Sequence, residues 1–355
     1  MKVELDDPIY GRRFLQVFLA LKNKLRQIPF EVNKPQLHQS HSKFKPLSGV
    51  LDSVSKISGG NSKKLTSTNI TMWDILDIQD QFISNVVECQ LESRESRGKK
   101  DAKEKYLRET LQKKGCHTIA NGCAIPLPSA PHIWITGVKA DSARMFKSAL
   151  YPALLEFFVH QNVSCDGAGV EKSKVKTYQV MVKTGDDLRQ DQLVIMMIKL
   201  MDRILKRGAL DLFLNPYPIL AMSDRTGLVE FVPSNPISQI LSENNNSILE
   251  YFQKVAPSKG SKYDVDPDVI QTYVRSCAGY CVITYLIGVG DRHLDNIMLQ
   301  KSGHFFHIDF GFIFGRDPKP LPPAFRLTKE VSNIIYNRDT FQKLCLIVLL
   351  FNTDG

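Results

Sequence analysis

Apolar residues in the first part of the chain recur with the period of a helix. Residues 9–28 place Phe14 and Val17 on one side of a basic amphipathic segment, which predicts a helix there. The same spacing resumes near Met72 and predicts a long helix that continues through the charged run 93–114. A charge run of this kind is typical of a solvated helix face.

The segment between these two helices is predicted to be a disordered insertion. Residues 32–70 are rich in Ser, Lys, Gln and Asn. Such a stretch cannot bury enough apolar area to offset the entropy lost when a chain becomes ordered.

After residue 126 the pattern becomes typical of strands. Three β-rich segments are separated by polar or glycine-containing turns, and a helix and a hairpin follow them. These elements predict a small mixed lobe. The predicted strands are 133–135, 154–159 and 178–183, the helix is 187–207, and the hairpin is 219–232.

The last third of the chain is predicted to be mainly helical. Asp266 and Pro267 supply an N-cap acceptor and a proline at the first helical position. A short hairpin is predicted over 296–308. The whole pattern predicts an α+β fold in three parts: a helical region with the insertion at 1–125, a mixed lobe at 126–235 and a helical lobe at 236–355.

Composition narrows the class of protein only modestly. The net charge of +9 favours an acidic partner such as anionic lipid, nucleic acid or nucleotide, without choosing among them. Seven cysteines without a CxxC pair argue against a disulfide framework or zinc ribbon and suit a reducing compartment. The first residues lack the apolar core of a signal peptide, and the apolar run 344–351 is too short to span a bilayer, so any membrane contact is expected to be peripheral.

The residues that carry chemistry are concentrated in one loop. Positions 288–299 read Gly-Val-Gly-Asp-Arg-His-Leu-Asp-Asn-Ile-Met-Leu, and Asp309 follows shortly after. Asp291, His293 and Asn296 are costly to desolvate at such close spacing unless they have a charged partner. The partner is expected to be a metal-bound phosphate.

The donor atoms in this region predict a hard cation. Asn296 and Asp309 offer oxygen ligands, which suit Mg²⁺ or Mn²⁺. A zinc site at His304 and His307 is disfavoured, because these two strand positions point to opposite faces. A metal held by an Asp and an Asn is the arrangement used in phosphoryl transfer from ATP.

Phosphoryl transfer needs further parts, and the preceding lobe offers candidates for them. Lys183 ends a predicted strand and can neutralise phosphate charge. One of three carboxylates that follow it is expected to hold this lysine. No G-x-G-x-x-G loop is present, but Ser148 and the backbone of 145–150 can contact phosphates instead. The three carboxylates are Asp186, Asp187 and Asp191.

Three stretches together resemble the catalytic core of the phosphatidylinositol 3-kinase family. They are Gly-Asp-Asp-Leu-Arg-Gln-Asp at 185–191, Gly-Val-Gly-Asp-Arg-His-Leu-Asp-Asn at 288–296 and Phe-His-Ile-Asp-Phe-Gly at 306–311. The proline-rich segment 315–323 resembles the activation loop of the class III members. The resemblance implies a two-lobed, protein-kinase-like fold whose larger lobe is incomplete here.

The resemblance also implies roles for the matched residues. Asn296 and Asp309 would hold the metal, while Asp291 and His293 would act on the inositol hydroxyl, with the base unassigned between them. The implied ATP-binding residues are Lys147 and Ser148 in the phosphate loop, Lys183 with its supports Asp191 and Tyr217, and Glu230, Val232 and Ile308 at the adenine.

The loop after the last motif bears on the implied lipid substrate. Its basic residues are Arg316, Lys319, Arg326 and Lys329, and Asp317 and several prolines accompany them. Such modest charge suits unphosphorylated phosphatidylinositol, which the resemblance implies is phosphorylated at the 3-hydroxyl in endosomal trafficking and autophagy. A phosphatidylinositol 4-kinase, a related protein kinase and a truncated non-catalytic binding module are the alternatives.

Partners and location follow from the same resemblance. It implies a regulatory protein-kinase-like subunit and autophagy or endosomal adaptor subunits, no nucleic acid, and a cytoplasmic protein that is peripheral on endosomal or autophagic membranes. The family continues with further helices after the position where this sequence ends. The chain is therefore expected to expose apolar surface and to be poorly stable alone.

Overall fold

The structure is a computed structural model of the chain. The predicted insertion and the loop residue Arg326 lie outside the residues that it describes. The described residues are 11–28, 71–119, 123–160, 176–319 and 345, and in the first helix side chains are described from position 19.

These residues form two compact units. The first contains the described residues up to Asp187 together with Leu220–Phe231. The second contains Leu188–Ile219 and the described residues from Val232 onward.

An antiparallel sheet forms the centre of the first unit. Its strands are β1 (Ile125–Leu127), β2 (Ala130–Val138), β3 (Arg144–Met145), β4 (Ala153–Val159), β5 (Thr177–Thr184), β6 (Ile219–Ala221) and β7 (Thr226–Glu230). The order in space is β1-β2-β4-β5-β7-β6, and β3 pairs with β4. Lys183 near the end of β5 lies opposite Gly227 of β7. The predicted strands and hairpin are confirmed, whereas the short strands β1 and β3 were not predicted.

Three helices precede the sheet in the chain. They are α1 (Gly11–Gln27), α2 (Met72–Glu95) and α3 (Lys100–Lys113). Thr71 starts α2 with a capping box, in which its hydroxyl accepts from the amide of Asp74 and the Asp74 carboxylate accepts from the amide of Thr71. The single long helix predicted here is wrong, because the chain leaves the helix at Ser96 and Gly98 has a φ of +115°.

The charged helix α3 contributes to the core of the first unit. The interpretation of this run as a solvated face holds only in part, since Leu107 and Leu111 are fully buried. They belong to one apolar cluster with Val180 and Val182 of β5. Burial of these side chains fixes α2 and α3 against the strand that carries Lys183.

The second unit is mainly helical. Asp266 caps α7 and Pro267 occupies its first turn, as the sequence predicts. The helix predicted before the 219–232 hairpin and the 296–308 hairpin are also confirmed, whereas the three short elements of residues 235–255 were not predicted. The elements are α4 (Arg189–Arg207), β8 (Asn235–Pro236), α5 (Ile237–Glu243), α6 (Ile248–Val255), α7 (Pro267–Ile287), β9 (Ile297–Leu299) and β10 (Phe305–His307), with the strands ordered β10-β9-β8.

Helix α7 supports the small sheet of this unit. It packs against β10, and Tyr273 and Tyr280 are fully buried beside Phe305 and His307. Together the two units give the mixed α+β fold that the sequence predicts. Within the described part of the chain, none of the helices has the length and apolar character needed to cross a membrane.

Candidate active site

Two glycines bring the loop after α7 close to the segment that follows Asp309. Gly288 ends the helix with a φ of +62°, and a Cβ there would lie 2.6 Å from the amide nitrogen of Gly315. A Cβ on Gly290 would overlap the carbonyl oxygen of Arg316. The amide of Gly290 also donates to the carbonyl oxygen of Phe312 over 2.9 Å, so a hydrogen bond holds the two segments together. Only residues without a side chain allow two backbones to pack this tightly.

A buried guanidinium joins the predicted catalytic loop, residues 288–299, to the Asp309 segment. Arg292 is 8% exposed and donates to the carbonyl oxygens of Gly290 and Ile308, each over 2.9 Å. It also donates to the carbonyl oxygen of Asp309. Burial lowers the pKa of Arg292, with the Asp309 and Asp291 charges acting in the opposite direction. Arg292 therefore has a structural role, because it bonds two backbone segments together.

The side chain of Asn296 forms hydrogen bonds with the backbone of its own loop. Its side chain is buried, its Nδ2 donates to the carbonyl oxygen of Asp291 over 2.8 Å, and its Oδ1 accepts from the amide of His293 over 3.1 Å. The carbonyl oxygen of Asn296 accepts from the amide of Ile308 over 3.0 Å. These bonds place residue 296 beside the chain just before Asp309.

Asp309 lies on a strained and exposed turn. Its φ is +61°, a region that non-glycine residues seldom adopt, and its Oδ1 accepts from the amide of Gly311 over 3.3 Å. Two residues of the first turn of α4 hold the next residue, Phe310. Gln190 donates to its carbonyl oxygen over 2.6 Å, and Asp191 accepts from its amide over 3.1 Å.

The available donors fit a hard divalent cation. The exposed carboxylate of Asp309 and the amide oxygen of Asn296 are hard ligands, and Oδ1 of Asn296 keeps a second lone pair besides the one bonded to His293. In the described ranges no group of three or more His, Cys, Asp or Glu could hold a metal on its own. A cation that takes two protein ligands and completes its coordination with water and phosphate matches this donor set.

Asp291 and His293 stand on the same loop in different surroundings. Asp291 has a φ of +48°, and its amide donates to the Asp317 carboxylate over 2.8 Å. His293 is exposed, with its Nδ1 3.7 Å from Oδ2 of Asp295. The hydroxyl of Ser238 donates to the other oxygen of Asp295. The aspartate beside the imidazole of His293 is thus itself held by a serine.

His307 is a structural histidine. It is fully buried and stacks on Tyr280 with ring centroids 5.6 Å apart. Burial lowers its pKa to about 3, so the ring stays neutral. Its carbonyl oxygen accepts from the hydroxyl of Tyr217 over 3.4 Å, and burial raises the pKa of Tyr217. At the hairpin turn, Nδ1 of His304 lies 2.9 Å from the hydroxyl oxygen of Ser302.

The first unit carries the predicted phosphate-binding residues. Nζ of Lys183 lies 3.0 Å from Oδ2 of Asp186, one of the three carboxylates predicted to hold it. Lys147 and Ser148 are exposed on the turn between β3 and β4. The carbonyl oxygen of Ser148 accepts from the amide of Tyr151 over 3.3 Å, which closes this turn.

The predicted adenine-binding residues lie in both units. Glu230 ends β7 half-buried, and burial raises the pKa of its carboxyl. In the second unit the carbonyl oxygen of Val232 accepts from the hydroxyl of Ser234 over 2.9 Å. Ile308 is half-buried. Its amide donates to the carbonyl oxygen of Asn296, and its carbonyl oxygen accepts from Arg292.

The described part of the loop after Gly311 carries two exposed basic side chains. Arg316 and Lys319 are both exposed, and the amide of Lys319 donates to the Asp317 carboxylate over 2.8 Å. Asp317 therefore binds the catalytic loop through one oxygen and its own loop through the other. Sequence reasoning treated Asp317 only as a charge in this loop, and it also missed Gln190, although Gln190 lies beside Asp191 in a quoted motif.

Comparison with known proteins identifies the family. Residues 177–351 match the family model described as phosphatidylinositol 3- and 4-kinase. This part of the chain belongs to that family. The fold of the chain, an antiparallel sheet with a mainly helical second unit, is the kinase-like α+β fold that the resemblance implied.

Individual relatives of this kinase family agree. The chain is 43% identical over 275 residues to phosphatidylinositol 3-kinase pik3 of Schizosaccharomyces pombe, covering 76% of this chain and 33% of that protein. It is 37% identical to the root isoform of phosphatidylinositol 3-kinase of Glycine max, covering 93% and 35%. It is 41% identical to phosphatidylinositol 3-kinase VPS34 of Saccharomyces cerevisiae, covering 63% and 24%. The chain spans about a third of the length of the first two relatives.

Proposed function

We propose that the chain is the catalytic part of a lipid kinase that transfers the γ-phosphoryl group of ATP to the 3-hydroxyl of phosphatidylinositol. The similar proteins named above are called phosphatidylinositol 3-kinases, and the family model covers all three motif stretches, 185–191, 288–296 and 306–311. The observation that carries the proposal is the Arg292 side chain, which bonds the backbone of the catalytic loop to that of Asp309. This contact brings a predicted metal ligand next to the residues predicted to act on the hydroxyl.

Asn296 and Asp309 hold the metal in this proposal. Mg²⁺ or Mn²⁺, when bound, neutralises charge on the β- and γ-phosphates of ATP. The buried amide of Asn296 is fixed by its own loop, whereas the Asp309 carboxylate is exposed and can turn toward a cation. This combination supports a metal that arrives together with the nucleotide.

Asp291 and His293 act at the inositol hydroxyl and the transferred phosphate. One of them accepts the hydroxyl proton as the oxygen attacks phosphorus, and the other orients the reacting groups. The exposed His293 with its acidic neighbour Asp295 suits contact with an anionic phosphate. Kinetics of Asp291→Asn and His293→Gln across pH separate the two roles, because only loss of the base removes the rise of kcat with pH.

The nucleotide is bound by the residues that the family resemblance implies. Lys183 neutralises the phosphates while its ion pair with Asp186 keeps it extended from β5. The remaining residues of the proposed set are Lys147, Ser148, Asp191, Tyr217, Glu230, Val232 and Ile308.

The loop after Gly311 selects the lipid and meets the membrane. Arg316 and Lys319 supply two exposed cations, and Asp317 ties the start of the loop to Asp291, so the charge offered to a headgroup is modest. Such a loop, to which Arg326 also belongs, suits phosphatidylinositol with its single phosphate. We further propose the cytoplasmic, peripheral location on endosomal or autophagic membranes, and the regulatory and adaptor subunits, that the resemblance implied.

The decisive experiment is a phosphorylation assay with vesicles that contain phosphatidylinositol. The chain with ATP and Mg²⁺ is expected to form phosphatidylinositol 3-phosphate, and Asp309→Asn is expected to lower the rate by at least a hundredfold. Asp224→Asn, on the exposed hairpin turn, is the matched control. Product at the 4-hydroxyl, peptide phosphorylation that exceeds lipid phosphorylation, or full activity of Asp309→Asn would overturn the proposal.

A further inference from the structure

The helices α2 and α3 contact both segments proposed to bind the ATP phosphates. One segment is the end of β5 with Lys183, and the other is the turn 146–151 with Ser148. All of these elements belong to the first unit. The contacts are polar and specific, in addition to the apolar packing of the helices on the sheet.

Arg94 in the last turn of α2 holds the end of β5. Its guanidinium donates to the carbonyl oxygen of Thr184 over 2.7 Å and lies 3.1 Å from the Thr184 hydroxyl. Thr184 is buried and directly follows Lys183. A charged donor on the carbonyl of the neighbouring residue fixes the direction in which the lysine leaves the strand.

Gly185 leaves room for this guanidinium because it has no side chain. Its φ is +84°, and a Cβ at this position would lie 2.5 Å from a terminal nitrogen of Arg94. Its amide donates to the carbonyl oxygen of Arg225 over 2.6 Å. The turn that presents Lys183 to Asp186 is therefore held from both sides.

Two other residues of the helices hold the second segment at Tyr151. This residue closes the 146–151 turn with a φ of +44°, which a bulky residue adopts only under constraint. The buried Gln90 of α2 donates to its carbonyl oxygen over 3.0 Å. Lys103 of α3 lies 5.2 Å from the centre of its ring.

Lys103 also connects the two sets of contacts. Its ammonium donates to the carbonyl oxygen of Arg94 over 2.6 Å and to that of Ser96. Further along α3, Glu104 accepts from the amide of Met145 over 3.1 Å, just before the turn. Three side chains of the two helices, those of Gln90, Arg94 and Lys103, thus reach the phosphate-binding segments, and a fourth, Glu104, holds the residue just before the turn.

We infer that the α2–α3 pair sets the geometry of phosphate binding, with Arg94 and Lys103 as positioning residues for Lys183 and Ser148. This inference rests on the proposed ATP-dependent function. Both phosphate-binding groups must meet one triphosphate, and small displacements of such groups are costly. Neither positioning residue needs to contact the nucleotide.

Nucleotide affinity tests the inference, with adenosine as the probe that lacks phosphates. Arg94→Gln and Lys103→Met are expected to weaken binding of Mg²⁺–ATP roughly tenfold in calorimetric titrations and to leave adenosine binding unchanged. Arg94→Lys, which keeps one charged donor for the Thr184 carbonyl, is expected to recover part of the loss. Arg97→Gln and Lys105→Met, at exposed positions of the same region, are the controls.

The outcomes separate this inference from the function on which it rests. Unchanged ATP affinity in both variants would overturn the positioning role, and so would equal losses for ATP and adenosine, which indicate a general loss of structure. Failure of the unaltered chain to bind ATP would overturn the proposed function, and the inference with it.

Discussion

At the scale of single residues, the candidate site depends on side chains that bond to backbone. Arg292 serves three carbonyl oxygens, Asn296 bonds to both Asp291 and His293, and Asp317 holds the amide of Asp291. Such bonds set the backbone of a loop that has two non-glycine residues with positive φ, Asp291 and Asp309, in or beside it. The backbone around Asp291 and Asp309 is consequently fixed by Arg292 and Asp317, which are not proposed to take part in the chemistry, and by the proposed metal ligand Asn296.

Replacing Arg292 tests this dependence. Arg292→Gln leaves buried carbonyl oxygens without a charged donor, so we expect the free energy of unfolding to fall by about 3 kcal/mol or more. Denaturant unfolding followed by circular dichroism measures the change. Arg203→Gln, on the exposed face of α4, should change stability by less than about 0.5 kcal/mol. A comparable small effect at Arg292 would contradict the role assigned to it.

Asp295 offers a second test at this scale. It is exposed and flanks His293, so Asp295→Asn should leave stability unchanged while kcat for lipid phosphorylation falls roughly threefold to tenfold, because the imidazole loses an oriented anionic neighbour. Steady-state kinetics with a constant KM for ATP would support the assignment. Retention of full kcat would show that the 3.7 Å contact does not orient the ring.

At the scale of elements, helix ends determine where the functional residues stand. Helix α7 ends at Gly288, from which the catalytic loop departs, and the first turn of α4 holds Phe310 from both sides. The last turn of helix α2 carries Arg94, which reaches the end of β5. In each case unpaired groups or long side chains of a terminal turn are used to hold a loop.

The end of α7 yields a prediction that separates strain from crowding. Gly288→Ala and Gly260→Ala both place a side chain at positive φ, at +62° and +84°, but only Gly288 has backbone within 4 Å of the added Cβ. We expect Gly260→Ala to lower the free energy of unfolding by about 1 kcal/mol and Gly288→Ala by about 2–4 kcal/mol. Equal losses in thermal or denaturant unfolding would mean that the contact with Gly315 is readily relieved.

At the scale of the whole molecule, nucleotide binding is linked to the stability of the fold. Ligands that bind only folded protein stabilise it in proportion to the logarithm of their concentration. Binding is therefore measurable without turnover.

Thermal unfolding in the presence of nucleotide tests whether Asp309 binds the metal. At about 100 times its Kd, Mg²⁺–ATP should stabilise the chain by about 2.7 kcal/mol, and chelation of the metal should remove most of this gain. Asp309→Asn should make the stabilisation much less dependent on Mg²⁺. An identical Mg²⁺ response in this variant and in Asp224→Asn would exclude Asp309 as a metal ligand.

Sequence patterns predicted much of the fold because burial imposes a period on them. The strands 154–159 and 178–183 and the helices beginning near residues 187 and 267 all appear. The break between α2 and α3 was missed, since a charged run hides the boundary and Gly98 is the main local signal. Short elements of two or three residues carry too little pattern to be recognised.

The sequence by itself determined the chemical inventory and the family, because Asp291, His293 and Asn296 lie in one short motif and Asp309 lies in a second motif shortly after it. Tertiary structure decided which residues hold them. Arg94 lies 90 positions from Thr184, and Gln190 lies 120 positions from Phe310. Contacts between such distant positions leave no local pattern, since they depend on how elements pack rather than on the period within any one of them.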